Sequence, residues 1–308
     1  MNILIVGLGS IARKHIEAIQ FLNYNTTIYA LRSTNNVVDE KGITNVFSLD
    51  NLAISFDFAI ISNPTHLHFE YIQILAEKNI PLFIEKPAVH SLDNCADLIS
   101  LIDAKNLMTY VACNLRFHPC VLFINEYIKT VPIRINEVNV YCGSYLPDWR
   151  PSKDFRKIYS ANENMGGGVH LDLFHELDYT TWIFGLPIKS SSIKRSVSSL
   201  TINAVDYANY CLEYSNFTAN IVLNYYRKKV KRTIEILLDN QIINVDLVNN
   251  IVSDENDQTL FQMSNFEMRN TYINQMEYFI NCIKQNEKPM NSLKDSIEVL
   301  KIVLQNEK

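Results

Sequence analysis

The stretch Ile3-Leu4-Ile5-Val6-Gly7-Leu8-Gly9-Ser10-Ile11-Ala12 decides the fold of the first third of the chain. Its four leading apolar residues predict a strand that is buried on both faces of a parallel sheet. From Ile11 to Leu22 the apolar residues recur at helical spacing, so the glycines lie between a strand and a helix. Strands and helices then continue to alternate, which predicts a doubly wound parallel sheet. The further predicted strands are 27–31, 58–61, 81–84 and 108–112, and the further predicted helices are 66–77 and 91–105.

The glycines match the G-x-G-x-x-[G/A] fingerprint of dinucleotide-binding proteins, in the strand–turn–helix context that the fingerprint requires. Gly7 permits the tight turn, Gly9 lets the backbone approach a pyrophosphate, and Ala12 lets the helix pack close to the strand. Ser10 and Ile11 begin the helix, whose free amides and positive dipole end favour phosphate. The alternative is a tight turn that uses glycine without a ligand. The pattern favours a bound nicotinamide dinucleotide.

The end of the second predicted strand indicates which nicotinamide dinucleotide binds. NAD-binding proteins usually place an acid there to hold the ribose 2′-hydroxyl, whereas an arginine accommodates a 2′-phosphate. Here the strand ends in Leu31, followed by Arg32, Ser33 and Thr34, and the first acid after them is Asp39. Arg32 and Ser33 therefore favour NADP(H), because guanidinium and hydroxyl groups suit phosphate. NAD(H) is the alternative if Arg32 is only a solvated loop residue.

Two more strand ends carry polar residues at the predicted carboxyl edge of the sheet, where ligands of such folds bind. Asn63-Pro64-Thr65 follows one strand and is predicted either to line the nicotinamide ribose or to form a turn and a helix cap. His68 belongs to the same predicted cofactor site. Glu85-Lys86-Pro87 follows the strand at 81–84 directly. Pro87 biases Lys86 away from helix, so Lys86 is predicted to project into the cofactor crevice with Glu85 beside it.

The sequence changes character after His118, and we expect a dinucleotide-binding domain at 1–118 and a second domain at 119–308. A short helix near 121–128 begins the second domain. Runs typical of strands follow one another between 192 and 248 without helices between them. This succession predicts an open, mostly antiparallel sheet in an α+β domain. Two helices, 272–285 and 292–305, end the chain, and packing of these helices on the first domain is left open.

A glycine-led helix in the second domain carries a candidate acid and base. Residues 166–178 read GGGVHLDLFHELD, and one helix is predicted from Val169 to Phe184. On a single helix Asp172 and His175 share a face because they are three residues apart. An Asp that orients an imidazole beside an alcohol is a common general-base arrangement. The alternative is an amphipathic helix whose Asp and His make only local bonds.

Composition excludes several classes of protein. Lys and Arg number 28 against 33 Asp and Glu, a net charge of −5, so no overall positive field attracts nucleic acid or anionic lipid. The 6 cysteines include no C-x-x-C pair, which argues against a zinc ribbon or a redox dithiol and favours a reduced, cytoplasmic setting without a metal site. No apolar run approaches the roughly 20 residues of a membrane helix.

Taken together, the motifs resemble the glucose–fructose oxidoreductase / inositol dehydrogenase / MocA (Gfo/Idh/MocA) family. The fingerprint, Glu85-Lys86-Pro87 and the glycine-led helix carry the resemblance, and Phe279 to Asp295 resembles the closing helices of that family. The resemblance implies an N-terminal Rossmann domain and a C-terminal domain whose open sheet binds substrate on one face. It also implies a homodimer or homotetramer formed through the other face, and NAD(P)-dependent oxidation or reduction of one hydroxyl or carbonyl group of a sugar or cyclitol.

The resemblance also implies roles for three residues. Lys86 matches the lysine that contacts the reacting hydroxyl and the nicotinamide, and Asp172 and His175 match the Asp and the general-base His of the family. Many members place three residues between that Asp and His, whereas two intervene here. Counted back from Asp178, His175 keeps the usual H-x-x-D spacing, so His175 is the predicted base. His170 is the alternative.

Residues 114–119 (NLRFHP) and 144–150 (SYLPDWR) resemble members found in bacterial surface-polysaccharide pathways. This resemblance implies a nucleotide-linked or amino-sugar substrate, bound by stacking and by anion recognition. The candidate substrate-binding residues are Arg116, Trp149, Arg150, Arg156 and Tyr159. Two other functions fit the same fold: an NAD-dependent inositol-type dehydrogenase and a non-catalytic regulator that senses the cofactor.

Overall fold

A computed structural model describes residues 1–34, 37–50, 54–130 and 133–305. The chain divides into two compact units. Unit 1 contains Met1–Asn114 and Glu267–Glu298, and unit 2 contains Leu115–Phe266 and the end of the chain from Val299. Each unit is built on its own sheet.

Unit 1 has a six-stranded parallel sheet with the order β3-β2-β1-β4-β5-β6, which confirms the predicted doubly wound fold. Its strands are β1 (Asn2–Val6), β2 (Thr27–Leu31), β3 (Ile43–Val46), β4 (Phe58–Ile61), β5 (Leu82–Glu85) and β6 (Thr109–Ala112). The helices between them are α1 (Ser10–Phe21), α2 (His68–Glu77) and α3 (Cys95–Ala104). Strand β3 is an edge strand that the sequence did not predict, because only Val46 of its four residues is buried and the hydrophobic signal is weak.

Unit 2 has an eight-stranded sheet with the order β14-β13-β12-β11-β7-β10-β9-β8. Only β7 and β10 pair in parallel, so the predicted mostly antiparallel sheet is confirmed. The strands are β7 (Ile135–Tyr145), β8 (Lys189–Arg195), β9 (Tyr207–Glu213), β10 (Thr218–Asn224), β11 (Tyr226–Leu238), β12 (Ile242–Asp246), β13 (Ile251–Ser253) and β14 (Thr259–Gln262). The helices are α4 (Pro119–Thr130), α5 (Val169–Asp172) and α6 (His175–Phe184).

Strand β11 begins at Tyr226, well before the predicted start at Thr233. Its first half carries the basic run Arg227 to Arg232 and is mostly exposed, so no alternation of apolar and polar residues marks it as a strand. The short strands β13 and β14 were also not predicted. Pairing with a neighbouring strand, rather than local hydrophobicity, defines these segments.

Two helices, α7 (Arg269–Gln285) and α8 (Leu293–Leu304), lie at the end of the chain as predicted. Within unit 1, α7 contributes Phe279, whose ring lies 5.2 Å from that of Phe58 and 5.5 Å from that of Phe83. These edge-on aromatic contacts bury α7 against the parallel sheet. Among the described residues, no helix has both the length and the apolar composition needed to span a bilayer. Nor do the described residues gather three His, Cys, Asp or Glu side chains that could hold a metal ion.

Candidate functional site

Three neighbouring strands of unit 1 end at one edge of the parallel sheet. Val6 of β1 lies opposite Ile61 of β4, and Ile61 lies opposite Ile84 of β5. The loops that follow these strands are therefore adjacent, and Ser62 Oγ donates a hydrogen bond of 2.9 Å to the carbonyl of Gly7. Ligands of doubly wound folds bind at this edge.

In the turn after β1, Gly7 packs closely against the next loop, whereas Gly9 borders open space that a ligand could fill. Gly7 has a φ of +87°, and a Cβ there would lie 2.5 Å from Asn63 N, so no other residue fits. Gly9 precedes α1, no side chain caps the helix, and a Cβ at Gly9 would meet no atom within 4 Å. Ala12 is fully buried. The first-turn amides of α1 and the open space beside Gly9 fit a dinucleotide pyrophosphate.

Arg32, the residue predicted to bind the 2′-phosphate of the cofactor, directly follows strand β2. The backbone N–H of Arg32 donates to Val46 O at 2.8 Å, which fixes the start of the loop. Among the described residues, Nη1 of Arg32 is buried without a hydrogen-bond partner. Ser33 follows it and is exposed. An unsatisfied guanidinium nitrogen at this position fits a phosphate oxygen.

The loop after β4 contains Asn63, whose side-chain amide also has unsatisfied hydrogen-bonding groups among the described residues. Both side-chain polar atoms of Asn63 are buried without a hydrogen bond among the described residues, and Thr65 beside it is buried. His68 Nε2 lies 2.9 Å from Asn63 O, and its Nδ1 lies 3.2 Å from the carbonyl oxygens of Pro87 and Ala88. Burial lowers the pKa of His68. His68, predicted as a cofactor ligand, therefore joins the loops after β4 and β5.

Glu85 links the loop after β5 to helix α1. Its Oε1 lies 2.6 Å from His15 Nε2, and its Oε2 accepts a hydrogen bond of 3.1 Å from the backbone N–H of Lys86. The His15 side chain is fully buried, and the ring of Phe83 meets it edge-on at 4.9 Å. Glu85, predicted to bind the cofactor, thus holds the backbone from which the half-buried Lys86 extends.

The candidate acid and base of unit 2 do not lie on one helix. Helix α5 ends at Asp172 and α6 begins at His175, and Leu173 between them has φ −94° and ψ 36°, outside the helical range. Phe174 has helical angles, φ −55° and ψ −30°, so the break is confined to Leu173, and both side chains are buried in the core. The prediction of one helix from Val169 to Phe184 is therefore wrong, and helical spacing does not by itself place Asp172 and His175 on one face.

Asp172 has a tyrosine as a partner. The hydroxyl of Tyr225 donates to Asp172 Oδ2 at 2.5 Å. Tyr225 is fully buried, and burial together with the Asp172 charge raises the pKa of its hydroxyl well above the ordinary value, so the group keeps its proton. The ring of Trp149 meets Tyr225 edge-on at 5.3 Å, and Trp149 Nε1 donates to Ser144 Oγ. The sequence did not single out Tyr225, because a tyrosine after a strand carries no sign of a distant carboxylate.

The two histidines that could act as the base differ in environment. His170 is only 8% exposed, and burial, with a smaller effect from the Lys194 charge, lowers its pKa to about 4. His175 is half-buried at the start of α6. A general base is most effective when its pKa lies near the working pH. The low pKa makes His170 a poor base, and His175 stays the predicted base.

The three glycines before α5 serve packing. Gly166 and Gly168 have positive φ values of 78° and 136°. A Cβ on Gly167 would lie 2.1 Å from the carbonyl oxygen of Tyr159. The glycines therefore let α5 approach the turn that contains Tyr159, a predicted substrate ligand. Trp149, Arg150 and Arg156, three other predicted ligands, lie in the same long loop, and Arg150 is exposed.

Arg116, also predicted to bind substrate, lies in the core of unit 2. Its Nε donates to Asp178 Oδ2 at 2.9 Å and its Nη2 to Asp178 Oδ1 at 2.7 Å. Both side chains are buried, at 4% and 1% exposure, and the guanidinium lies 5.5 Å from the ring of Trp182. Through this ion pair Arg116 anchors the helix that begins at His175, and its contact with substrate stays a prediction.

His118 should make the chain sensitive to acid. Its Nδ1 accepts from the backbone N–H of Cys120 and its Nε2 lies 3.0 Å from Asn250 Oδ1, so the folded state holds the neutral ring. Burial lowers the pKa of His118 from 6.5 to about 4. Between these values the unfolded chain binds the proton more readily. The free energy of unfolding should therefore fall as the pH falls, by up to about 3 kcal/mol from this residue.

Urea unfolding followed between pH 7 and pH 4 measures this effect. In the His118→Asn variant, which retains an acceptor near Nδ1 and cannot be protonated there, the pH dependence should be shallower than in the natural chain. Parallel curves for the two proteins would contradict the assignment.

Comparisons with known proteins agree with this fold and with the turn at Gly7. Residues 1–113 match the model of the GFO_IDH_MocA family, described as an oxidoreductase family with an NAD-binding Rossmann fold. The WlbA dehydrogenase from Bordetella pertussis, solved in complex with NADH and UDP-GlcNAcA, superposes with a TM-score of 0.84 at 16% identity. The superposition covers 98% of this chain and 93% of that one, and it shows that the fold is shared.

Two curated relatives have functional names. The 2,7-anhydro-N-acetylneuraminate hydratase of Escherichia coli (strain K12) is 24% identical over 192 residues, 60% of this chain and 50% of the relative. The scyllo-inositol 2-dehydrogenase (NADP(+)) IolW of Bacillus subtilis (strain 168) is 26% identical over 168 residues, 54% of this chain and 45% of the relative. The chain thus spans half or less of the length of these relatives. Residues 1–113 thus resemble the NAD-binding Rossmann domain of the Gfo/Idh/MocA oxidoreductase family, and the six-stranded parallel sheet of unit 1 agrees with this match.

Proposed function

We propose that the chain is an NADP(H)-dependent oxidoreductase acting on a hydroxyl or keto carbon of a sugar or sugar derivative. The observation that carries the proposal is the uncapped amino end of α1 beside the open space at Gly9, within the family fingerprint. The nicotinamide, when bound, accepts or supplies the hydride. The unsatisfied Nη1 of Arg32 supports the phosphorylated form of the cofactor, and the name of the NADP(+)-dependent relative agrees with it.

Three side chains of this protein have proposed roles in catalysis beside the cofactor. The ammonium of Lys86 polarises the reacting oxygen and stabilises alkoxide character on it. His175 takes up or returns the hydroxyl proton. Asp172, held by the buried hydroxyl of Tyr225, keeps its carboxylate in a fixed orientation and positions His175 or a substrate hydroxyl.

The proposed substrate is a nucleotide-linked or amino sugar of the kind used in bacterial surface polysaccharides. The sequence resemblance at 114–119 and 144–150 supports it, as does the sialic-acid-derived substrate in the name of one relative. That relative is a hydratase, so a substrate screen should follow products by mass as well as NADPH absorbance. Conversion of a sugar would support an enzyme, whereas tight cofactor binding without any conversion would favour a cofactor-sensing regulator.

Replacing Arg32 tests the cofactor assignment. Arg32→Ala is expected to weaken NADPH binding by about 10- to 100-fold, because a charge-assisted bond to phosphate contributes about 1.5–3 kcal/mol, and to leave NADH binding almost unchanged. Fluorescence titration of both dinucleotides measures the two affinities. Equal or tighter binding of NADH by the natural chain would overturn the assignment and favour the NAD-dependent, inositol-type dehydrogenase.

A further inference from the structure

The loop between β2 and β3 places a carboxylate against an arginine of helix α1. Glu40 Oε2 accepts from Arg13 Nη1 at 2.6 Å, and Glu40 Oε1 accepts from Arg13 Nη2 at 2.8 Å. Arg13 lies in the first turn of α1, where its backbone N–H bonds to Gly9 O at 3.3 Å. The carboxylate is therefore anchored to the helix turn that begins at the fingerprint glycine.

Arg32 belongs to the same cluster. The hydrogen bond from Arg13 holds the pKa of Glu40 below its ordinary value against the opposing effect of burial, and the charges of Arg13 and Arg32 add smaller lowering effects. Arg32 Nη1 itself has no hydrogen-bond partner among the described residues. Arg32, which follows β2, thus lies close enough to the Arg13–Glu40 pair for its charge to act on the carboxylate.

We propose that Glu40 is an internal counter-ion that competes with the 2′-phosphate for Arg13 and Arg32, and thereby sets the ratio of NADPH to NADH affinity. A carboxylate and a phosphate both accept two parallel N–H bonds from one guanidinium, so the two oxygens of Glu40 occupy the donors of Arg13 that a phosphate would use, and the charge of Glu40 acts on Arg32. A phosphate carries about 1.5 to 2 negative charges near neutral pH and is repelled by a carboxylate that stays in place.

The same carboxylate favours the unphosphorylated cofactor. An acid at the end of the second Rossmann strand holds the ribose 2′-hydroxyl of NAD, and Glu40 offers such an acceptor in a position that the strand itself lacks. The inference rests on the proposed NADP(H) function and adds a residue that limits the preference for NADP(H).

Glu40 can be replaced without risk to the fold. The Arg13 and Glu40 side chains are 50% and 30% exposed, and a solvent-exposed ion pair of this kind contributes little to stability. Asp39 provides a matched control: it is the adjacent acid of the same loop, and it accepts a hydrogen bond from Asn45 at 2.9 Å rather than from an arginine.

The experiment compares the natural chain with Glu40→Gln and Asp39→Asn by titration with NADPH and NADH, and with the fragments 2′,5′-ADP and 5′-ADP. We expect Glu40→Gln to bind NADPH and 2′,5′-ADP about 10-fold tighter, because one competing charge is removed, while NADH and 5′-ADP bind equally or more weakly. Asp39→Asn should change each affinity by less than about twofold. The fragments report binding at the adenosine end without any turnover.

Three results would overturn the inference. If the natural chain binds NADPH and Glu40→Gln binds it with the same affinity, Glu40 does not compete with the 2′-phosphate. The proposed function is not affected by that result. An equal gain in affinity for 2′,5′-ADP and 5′-ADP in Glu40→Gln would mean that the substitution acts only through the net charge of the protein. An equal gain in affinity in Asp39→Asn would mean the same. Failure of the natural chain to bind either dinucleotide overturns the proposed function together with the inference.

Discussion

Lys86→Ala is expected to lower the turnover number by about 10²- to 10³-fold while NADPH affinity stays within about twofold. In the proposed mechanism the ammonium stabilises charge that develops on the reacting oxygen, and this stabilisation is largest in the transition state. Glu85 holds the backbone of Lys86, so removal of the side chain leaves the loop in place. Steady-state kinetics on a converted sugar and a separate NADPH titration measure the two quantities.

Lys78→Ala is the matched control for Lys86, because Lys78 is an exposed lysine that follows α2 in the same unit. It should leave both quantities unchanged. Full turnover in Lys86→Ala would remove Lys86 from the mechanism, and a parallel loss of NADPH affinity would assign it to cofactor binding instead.

Arg116→Ala is expected to lower the stability of unit 2 by about 3–5 kcal/mol, since it leaves the carboxylate of Asp178 buried without its cation. Arg116→Lys should recover only part of this loss, because an ammonium cannot reproduce the two parallel bonds of the guanidinium. Urea unfolding monitored by the fluorescence of Trp182, whose ring lies beside Arg116, measures the loss.

Arg150→Ala provides the reference for Arg116, because Arg150 is exposed and surface substitutions usually change stability by less than about 0.5 kcal/mol. A loss below about 1 kcal/mol in Arg116→Ala would mean that the pair contributes no more than a surface ion pair. In that case the other contacts of the helix that begins at His175 hold it, among them the ion pair between Glu176 and Arg232 at 2.7 Å.

The parts of the fold that sequence predicted are those with a local signal. The apolar run from Ile3 to Val6 and the glycines at 7 and 9 predicted the first strand and the turn, because burial on both faces and a tight turn restrict residue type directly. Strand β3 and the basic half of β11 have no such signal, since pairing with neighbouring strands defines them. The break at Leu173 was missed for a related reason: no local sequence pattern marks it.

The sequence indicated candidate site residues by their chemical type, but it did not indicate their hydrogen-bond and ion-pair partners. The sequence selected Glu85, Asp172 and Arg116 as site residues, yet it gave no sign of the groups that hold them. Those groups are 70, 53 and 62 residues away along the chain. Only the folded chain brings a carboxylate and its donor together over such separations, and Tyr225 was missed entirely on this account.

The contact between His15 and Glu85 has a consequence for how the first unit can change. His15 lies on helix α1, whose amino end would bind the pyrophosphate, and its ring contacts Glu85. Glu85 in turn accepts a hydrogen bond from the backbone N–H of Lys86. If the helix moves when the cofactor binds, the direct contact between the buried imidazole and Glu85 provides a route by which that movement reaches the backbone of Lys86. We therefore expect substitutions at His15 to alter cofactor affinity and the position of Lys86 together.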